Sequence, residues 1–187
     1  MRYIVIFFIA MIYVQCDQGS ALPKPKAKLN LHYPIAGYME VDSRCSYRFA
    51  MNENARFYPL EGCESKIDYP NMGATVYMSY RPVVNNLDSL LADAYQMPSK
   101  HIIKAIEIPE KVFINPQNRT YGTLFRIVGE AASQVQFFVT DSTDHFLVGS
   151  LYFYTRPNYD SLMPAARYIE QDMSKLMESL RWSSTNN

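Results

Sequence analysis

Val139-Thr140-Asp141-Ser142-Thr143-Asp144-His145-Phe146 crowds hydroxyls, two carboxylates and an imidazole into one short stretch. Serine, histidine and aspartate are the residue types of a nucleophile, its base and the acid that orients the base. That chemistry needs the three to converge from separate segments. Here Ser142, Asp144 and His145 are near neighbours on a tip between two apolar runs, where adjacent side chains diverge and water reaches them all. No Gly-x-Ser-x-Gly elbow occurs in the chain. The residues suit a chain reversal in which Asp141 opens the turn and its carboxylate caps local N–H groups. The expectation is an exposed hairpin tip whose Asp141, Ser142, Asp144 and His145 offer a partner-binding surface.

Other chemistry is thin. His32, His101 and His145 are far apart, and neither His-x-x-x-His nor Cys-x-x-Cys spacing is present. No glycine loop could cradle a phosphate, so neither metal nor cofactor is expected. Eighteen basic and 18 acidic residues leave no net charge. Nucleic acid is an unsuitable partner for such a chain, because a duplex binder must offset many phosphates. No enzymatic activity is expected. Two rivals stay open: a module holding a lipid or glycan against an aromatic-rich sheet, and a hydrolase using Asp141, Asp144 or His145.

The N-terminus places the chain. Arg2 precedes an uncharged apolar run from Ile4 to Val14. As a helix that run reaches roughly 16 Å, against the ~30 Å of a bilayer's hydrocarbon layer. It reads as an export signal over residues 1–15. Cys16 stands where a lipoprotein carries its acyl chains, and cleavage after Ala21 is the alternative. Three cysteines are present. If Cys16 bears lipid, Cys45 and Cys63 remain to pair in an oxidising compartment; two buried free thiols are the other reading. Residues 16–28, with two prolines and three lysines, form an anchor and semi-extended tether. One α+β domain is expected over residues 29–187.

Short aromatic-rich strands fill the first half: residues 37–42, 45–51, 55–60, 64–70 and 73–82, with Asn52–Asn54 as a hairpin loop. Leu87, Leu90, Leu91 and Ala94 predict a helix over 86–97, capped by Asn86 or Asp88 and ended by Pro98. Strands follow at 105–115 and 120–128. The runs at 133–140 and 145–155 are apolar on both faces, which belongs mid-sheet with cover on each side. Leu162, Ala166, Ile169, Met173, Leu176 and Leu180 make one helical stripe, predicting a helix over 162–182 with Ser161 as cap and Pro164 in the first turn. Arg81-Pro82 and Arg156-Pro157 each end a strand before an Asp-Ser-Leu and a helix. Two such exits would send one helix to each sheet face, and Arg81 and Arg156 join the candidate partner-binding residues.

"YPIAGYMEVD", "CESKIDYPNMGATVYMSYRPV", "NLDSLLADAY", "SKHIIKA" and "EAASQVQFFVTDSTDHFLVGSLYFYTRPNYDSLMP" resemble the GldD family of gliding-motility lipoproteins of Bacteroidota. The resemblance spans Tyr33 to Trp182. It implies lipidation at Cys16, a periplasm-facing envelope location with the membrane left open, and protein partners in the gliding and type IX secretion machinery. It brings no catalytic activity. The fold expected is α+β, a mostly antiparallel sheet with helices packed on its faces, similar in element order to the PsbP/Mog1 sandwich.

Overall fold

The computed structural model describes residues 33–100, 105–155 and 158–183. β1 (Tyr38–Asp42) and β2 (Tyr47–Asn52) form an antiparallel hairpin. β3 (Arg56–Pro59), β4 (Glu64–Tyr69) and β5 (Ala74–Pro82) follow as a meander. Helix α1 covers Leu87–Ser99. Then come β6 (Ala105–Glu107), β7 (Glu110–Asn115), β8 (Thr120–Arg126), β9 (Val128–Gly129), β10 (Val135–Thr140) and β11 (His145–Phe153). Helix α2 (Tyr159–Ser179) and the two-residue β12 (Arg181–Trp182) close the chain.

Seven strands make one antiparallel sheet in the order β3-β4-β5-β11-β10-β8-β7. β10 and β11 lie inside it, and all six residues of β10 are buried. Their double-sided apolar pattern follows from cover on both faces. Val135, Phe137, Val139, Leu147 and Leu151 face α2, whose Ala166, Ile169, Met173 and Leu176 share their core. Phe125, Phe138 and Phe146 face α1 through Ala94, Leu90 and Leu91. The two strand-to-helix exits therefore do deliver one helix to each face. Full burial of each large aliphatic side chain stabilises by about 1.5–3 kcal/mol. Gly149 leaves the space that the Phe137 ring fills, and a Cβ there would collide with the ring. Arg126 on β8 forks onto Glu170 of α2 at 2.6 and 2.8 Å, fixing the helix against the sheet.

A smaller sheet, β1-β2-β12, packs beside α2 on the same face. Its inner side chains Tyr47, Phe49 and Met51 belong to the larger core. Cys45, just before β2, is disulfide-bonded to Cys63, just before β4, with Cα atoms 5.9 Å apart. The bridge ties the small sheet to the large one and stabilises by about 3 kcal/mol in the chain-entropy account.

Several element ends differ from expectation, among them the strand expected over 120–128, which is divided into β8 and β9 of separate sheets. α1 runs through Pro98 to Ser99, and the Asn86 side chain accepts from Val84 N–H rather than capping the helix. Pro109 splits the expected strand 105–115 into β6 and β7, because its ring removes the donor a continuous ladder needs. α2 begins at Tyr159 with Asn158, not Ser161, in the N-cap position, and Asn158 C=O accepts from Ser161 and Leu162. Pro164 is thus in the second turn. The same helix stops at Ser179: Leu180 is extended (φ −58°, ψ 135°), and Arg181 and Trp182 pair with Arg48 and Tyr47 of β2. Residues 1–28, Cys16, His32, His101 and Arg156 lie outside the described residues.

Candidate functional site

The β10–β11 connection is built around one carboxylate. Asp141 Oδ1 accepts from the backbone N–H groups of Thr143, Asp144 and His145 at 3.0, 2.8 and 2.8 Å. Its Oδ2 accepts from the Thr143 hydroxyl at 2.9 Å and lies 3.4 Å from the Arg119 guanidinium. Burial by itself would lift the Asp141 pKa, but the three N–H groups and the Thr143 hydroxyl more than offset it and hold the carboxyl below its usual range. Ser142 takes the left-handed backbone (φ 67°) that lets the chain reverse this tightly.

The tip is not the uniformly exposed surface expected from its sequence. Ser142, Thr143 and Asp144 are exposed, whereas Asp141 is 4% and His145 7% exposed. Asp141 is drawn inward by the N–H groups it satisfies. His145 is covered by Trp182, whose ring stacks on the imidazole with centroids 5.0 Å apart and planes 16° apart. Trp182 Nε1 donates to the Arg119 carbonyl at 3.0 Å, which locks β12 over the tip. On its other side, His145 Nδ1 shares a 2.8 Å hydrogen bond with the Tyr80 hydroxyl.

Between the tip, the Arg119 turn and β12 runs an open groove of about 830 Å³. Tyr80, His145 and Trp182 line it with aromatic surface, and Arg48, Arg119, Arg181, Asp141 and Asp144 supply charge. Arg48 and Arg181 are directly opposite in neighbouring strands, an arrangement of like charges that is unfavourable on its own. Arg48 lies 3.6 Å from Glu40, while Arg181 forms no ion pair among the described residues. The groove therefore offers aromatic faces for packing and guanidinium forks suited to carboxylates.

Of the residues picked out from sequence, Asp141, Asp144 and His145 meet in the groove, and Ser142 is not part of its lining. Arg81 is elsewhere. It pairs with Glu64 at 2.7 Å and lines a separate 390 Å³ cavity beside α1. Arg48, Tyr80, Arg119, Arg181 and Trp182 were not anticipated as site residues. Only the solitary tryptophan near the chain end hinted at one of them.

Chemically, the groove has the features of a binding surface. Asp141 spends its carboxylate on the turn, and the imidazole's hydrogen-bonded neighbour is a tyrosine, not an acid. Among the described residues no group of three His, Cys, Asp or Glu side chains is placed to hold a metal ion.

A second surface lies on the α1 side of the sheet, where the helix does not reach β3–β5. Cross-strand register aligns Tyr58, Lys66, Tyr77 and Ser150 in one row and Arg56, Asp68, Thr75 and Tyr152 in the next. Tyr58, Tyr77, Tyr152 and Tyr154 are all exposed here. Between α2 and the small sheet, by contrast, Asp172 is buried. It accepts from Tyr38 at 2.9 Å and Asn52 at 2.8 Å, and also from Tyr69.

No described helix is long and apolar enough to cross a membrane. A family model described as gliding motility lipoprotein GldD matches residues 18–182 of the chain. No curated protein matches it.

Proposed function

The chain belongs to the gliding motility lipoprotein GldD family, which makes it an envelope lipoprotein involved in gliding motility, and we propose that it acts there as a non-catalytic assembly component. In this reading residues 1–15 are the export signal. Cys16 carries the acyl chains, residues 16–28 are the tether, and the single domain of residues 29–187 faces the periplasm. Its partners are protein subunits of the gliding machinery and of the associated type IX secretion system.

The observation that carries the proposal is the groove. Three distant parts of the chain (the β10–β11 tip, the Arg119 turn and β12) are held together by Trp182 and Arg119 around an open, aromatic and charged surface. Aromatic and arginine side chains dominate binding energy at protein interfaces. Acidic segments of a partner suit Arg48 and Arg181.

A photo-crosslinking residue at Asp144, followed by mass spectrometry on intact cells, tests this. Recovery of the same gliding or secretion subunit in repeated experiments is expected. Its loss in the Arg181→Glu variant, at unchanged abundance of the lipoprotein, is expected too. Crosslinks scattered over abundant envelope proteins, or insensitive to that substitution, count against the proposal.

The open tyrosine face favours a second reading, a glycan-binding module, because exposed tyrosines offer flat apolar faces next to hydroxyls. Co-sedimentation with insoluble cell-wall glycan that is lost in Tyr77→Ala/Tyr152→Ala would move the assignment there.

A further inference from the structure

The seven-stranded sheet ends in two unlike edges. β3 is four residues long, with Arg56 at one end and Pro59 at the other. A short, charged edge with a proline resists further pairing. β7 spans six residues with no proline or bulge, and its ladder to β8 is in unbroken register. Val112 and Ile114 point away from the α2 core and are 64% and 70% exposed. Such an edge is a template for another strand.

Hydrogen-bond alternation shows which backbone groups are available. Arg126 N–H donates to Pro109 C=O at 3.0 Å, in step with the β7–β8 register. Alternation from that bond turns the N–H and C=O groups of Lys111, Phe113 and Asn115 toward β8. Those of Glu110, Val112 and Ile114 then face outward. Among the described residues, those that present unpaired backbone also present the exposed apolar side chains.

We infer that β7 pairs with β7 of a second copy of this chain, antiparallel about a two-fold axis through Phe113. In that register Val112 of each copy lies opposite Ile114 of the other, and each such pair exchanges both backbone hydrogen bonds. Both apolar side chains are covered at once, and Lys111 meets Asn115 rather than another lysine. A register centred on Val112 would instead set Glu110 against Ile114. The self-complementarity of the strand is what selects a second copy as occupant. One six-residue pairing is smaller than the ~1,200 Å² of a stable interface. Confinement of lipid-anchored copies to one membrane plane raises their effective concentration and offsets this. That part of the inference rests on the proposed anchor.

The full lipoprotein, reconstituted in liposomes, tests it by oxidative crosslinking. Paired residues sit about 5.5 Å apart, within disulfide reach, whereas diagonal neighbours are roughly 8 Å apart and beyond it. A mixture of Val112→Cys and Ile114→Cys chains is expected to give at least fivefold more dimer than either chain alone. Adding Val112→Lys to the Ile114→Cys chain should abolish the product without changing the melting curve. Dimer from Val112→Cys alone would overturn the register. Equal yield from Arg56→Cys, or no dimer in any mixture, would overturn the pairing. In native membranes, crosslinking of Ile114→Cys to another protein and not to its own copy would overturn the choice of occupant. The groove is lined by the turn that follows β7 but by neither Val112 nor Ile114, so none of these readouts reports on it.

Discussion

The imidazole of His145 lies flat beneath the indole of Trp182, centroids 5.0 Å apart, though the two are 37 positions apart in the chain. One contact thus joins the last strand to the tip and forms the floor of the groove.

Trp182→Ala should destabilise the domain by about 2 kcal/mol, less than a fully buried tryptophan because the ring is half exposed. Trp182→Phe should cost under about 1 kcal/mol, keeping the stack but losing the hydrogen bond to Arg119. Urea unfolding gives both values. Hydrogen exchange at Asp144 and His145 should accelerate in the alanine variant, and unchanged rates there would show that the stack does not hold the tip.

Asp141 is depressed in the folded state, so it adds stability above the unfolded aspartate pKa of about 3.9. That contribution is lost as pH falls through the folded value. Asp141→Asn should cost about 2 kcal/mol at pH 7, the worth of hydrogen bonds to a charged acceptor. It should also flatten the stability curve below pH 4. A variant as acid-sensitive as the wild type would place the titrating group elsewhere.

Asp172 behaves in the opposite sense. Burial raises its pKa, and the donors Asn52, Tyr38 and Tyr69 only partly counter this. Its contribution is fully present below the unfolded pKa of about 3.9 and declines as pH rises through the elevated folded value. Asp172→Asn removes that decline. Relative to the wild type, the variant should therefore gain stability as pH rises above about 4, as read from melting temperatures. A constant difference across that range would show that the buried carboxylate does not titrate there.

Much of the layout was legible because it depends on local pattern. Val135, Phe137 and Val139 alternate with Phe138, so a doubly covered strand could be read directly, as could the stripe from Leu162 to Leu176. The failures that bear on the groove depended on distant contacts. Leu180 continues the helical stripe and is buried, yet it is extended, because β2 captures Arg181 and Trp182 from the other end of the chain. His145 reads as exposed beside Asp144, and nothing nearby in sequence announces the indole that covers it. The groove was half visible for the same reason. Its acidic side lies within one turn, and its basic side is assembled from Arg48, Arg119 and Arg181 across 134 positions of chain.

The small sheet takes its first two strands from the start of the described domain and its third from the very end. Closing it therefore means bridging the 135 positions from Tyr47 to Trp182, the slowest kind of contact to form. A partly synthesised chain has β1 and β2 but no β12, so neither that sheet nor the roof over His145 can be finished early. On the proposed export route, β12 acts as a latch that engages only after the strands before it have arrived.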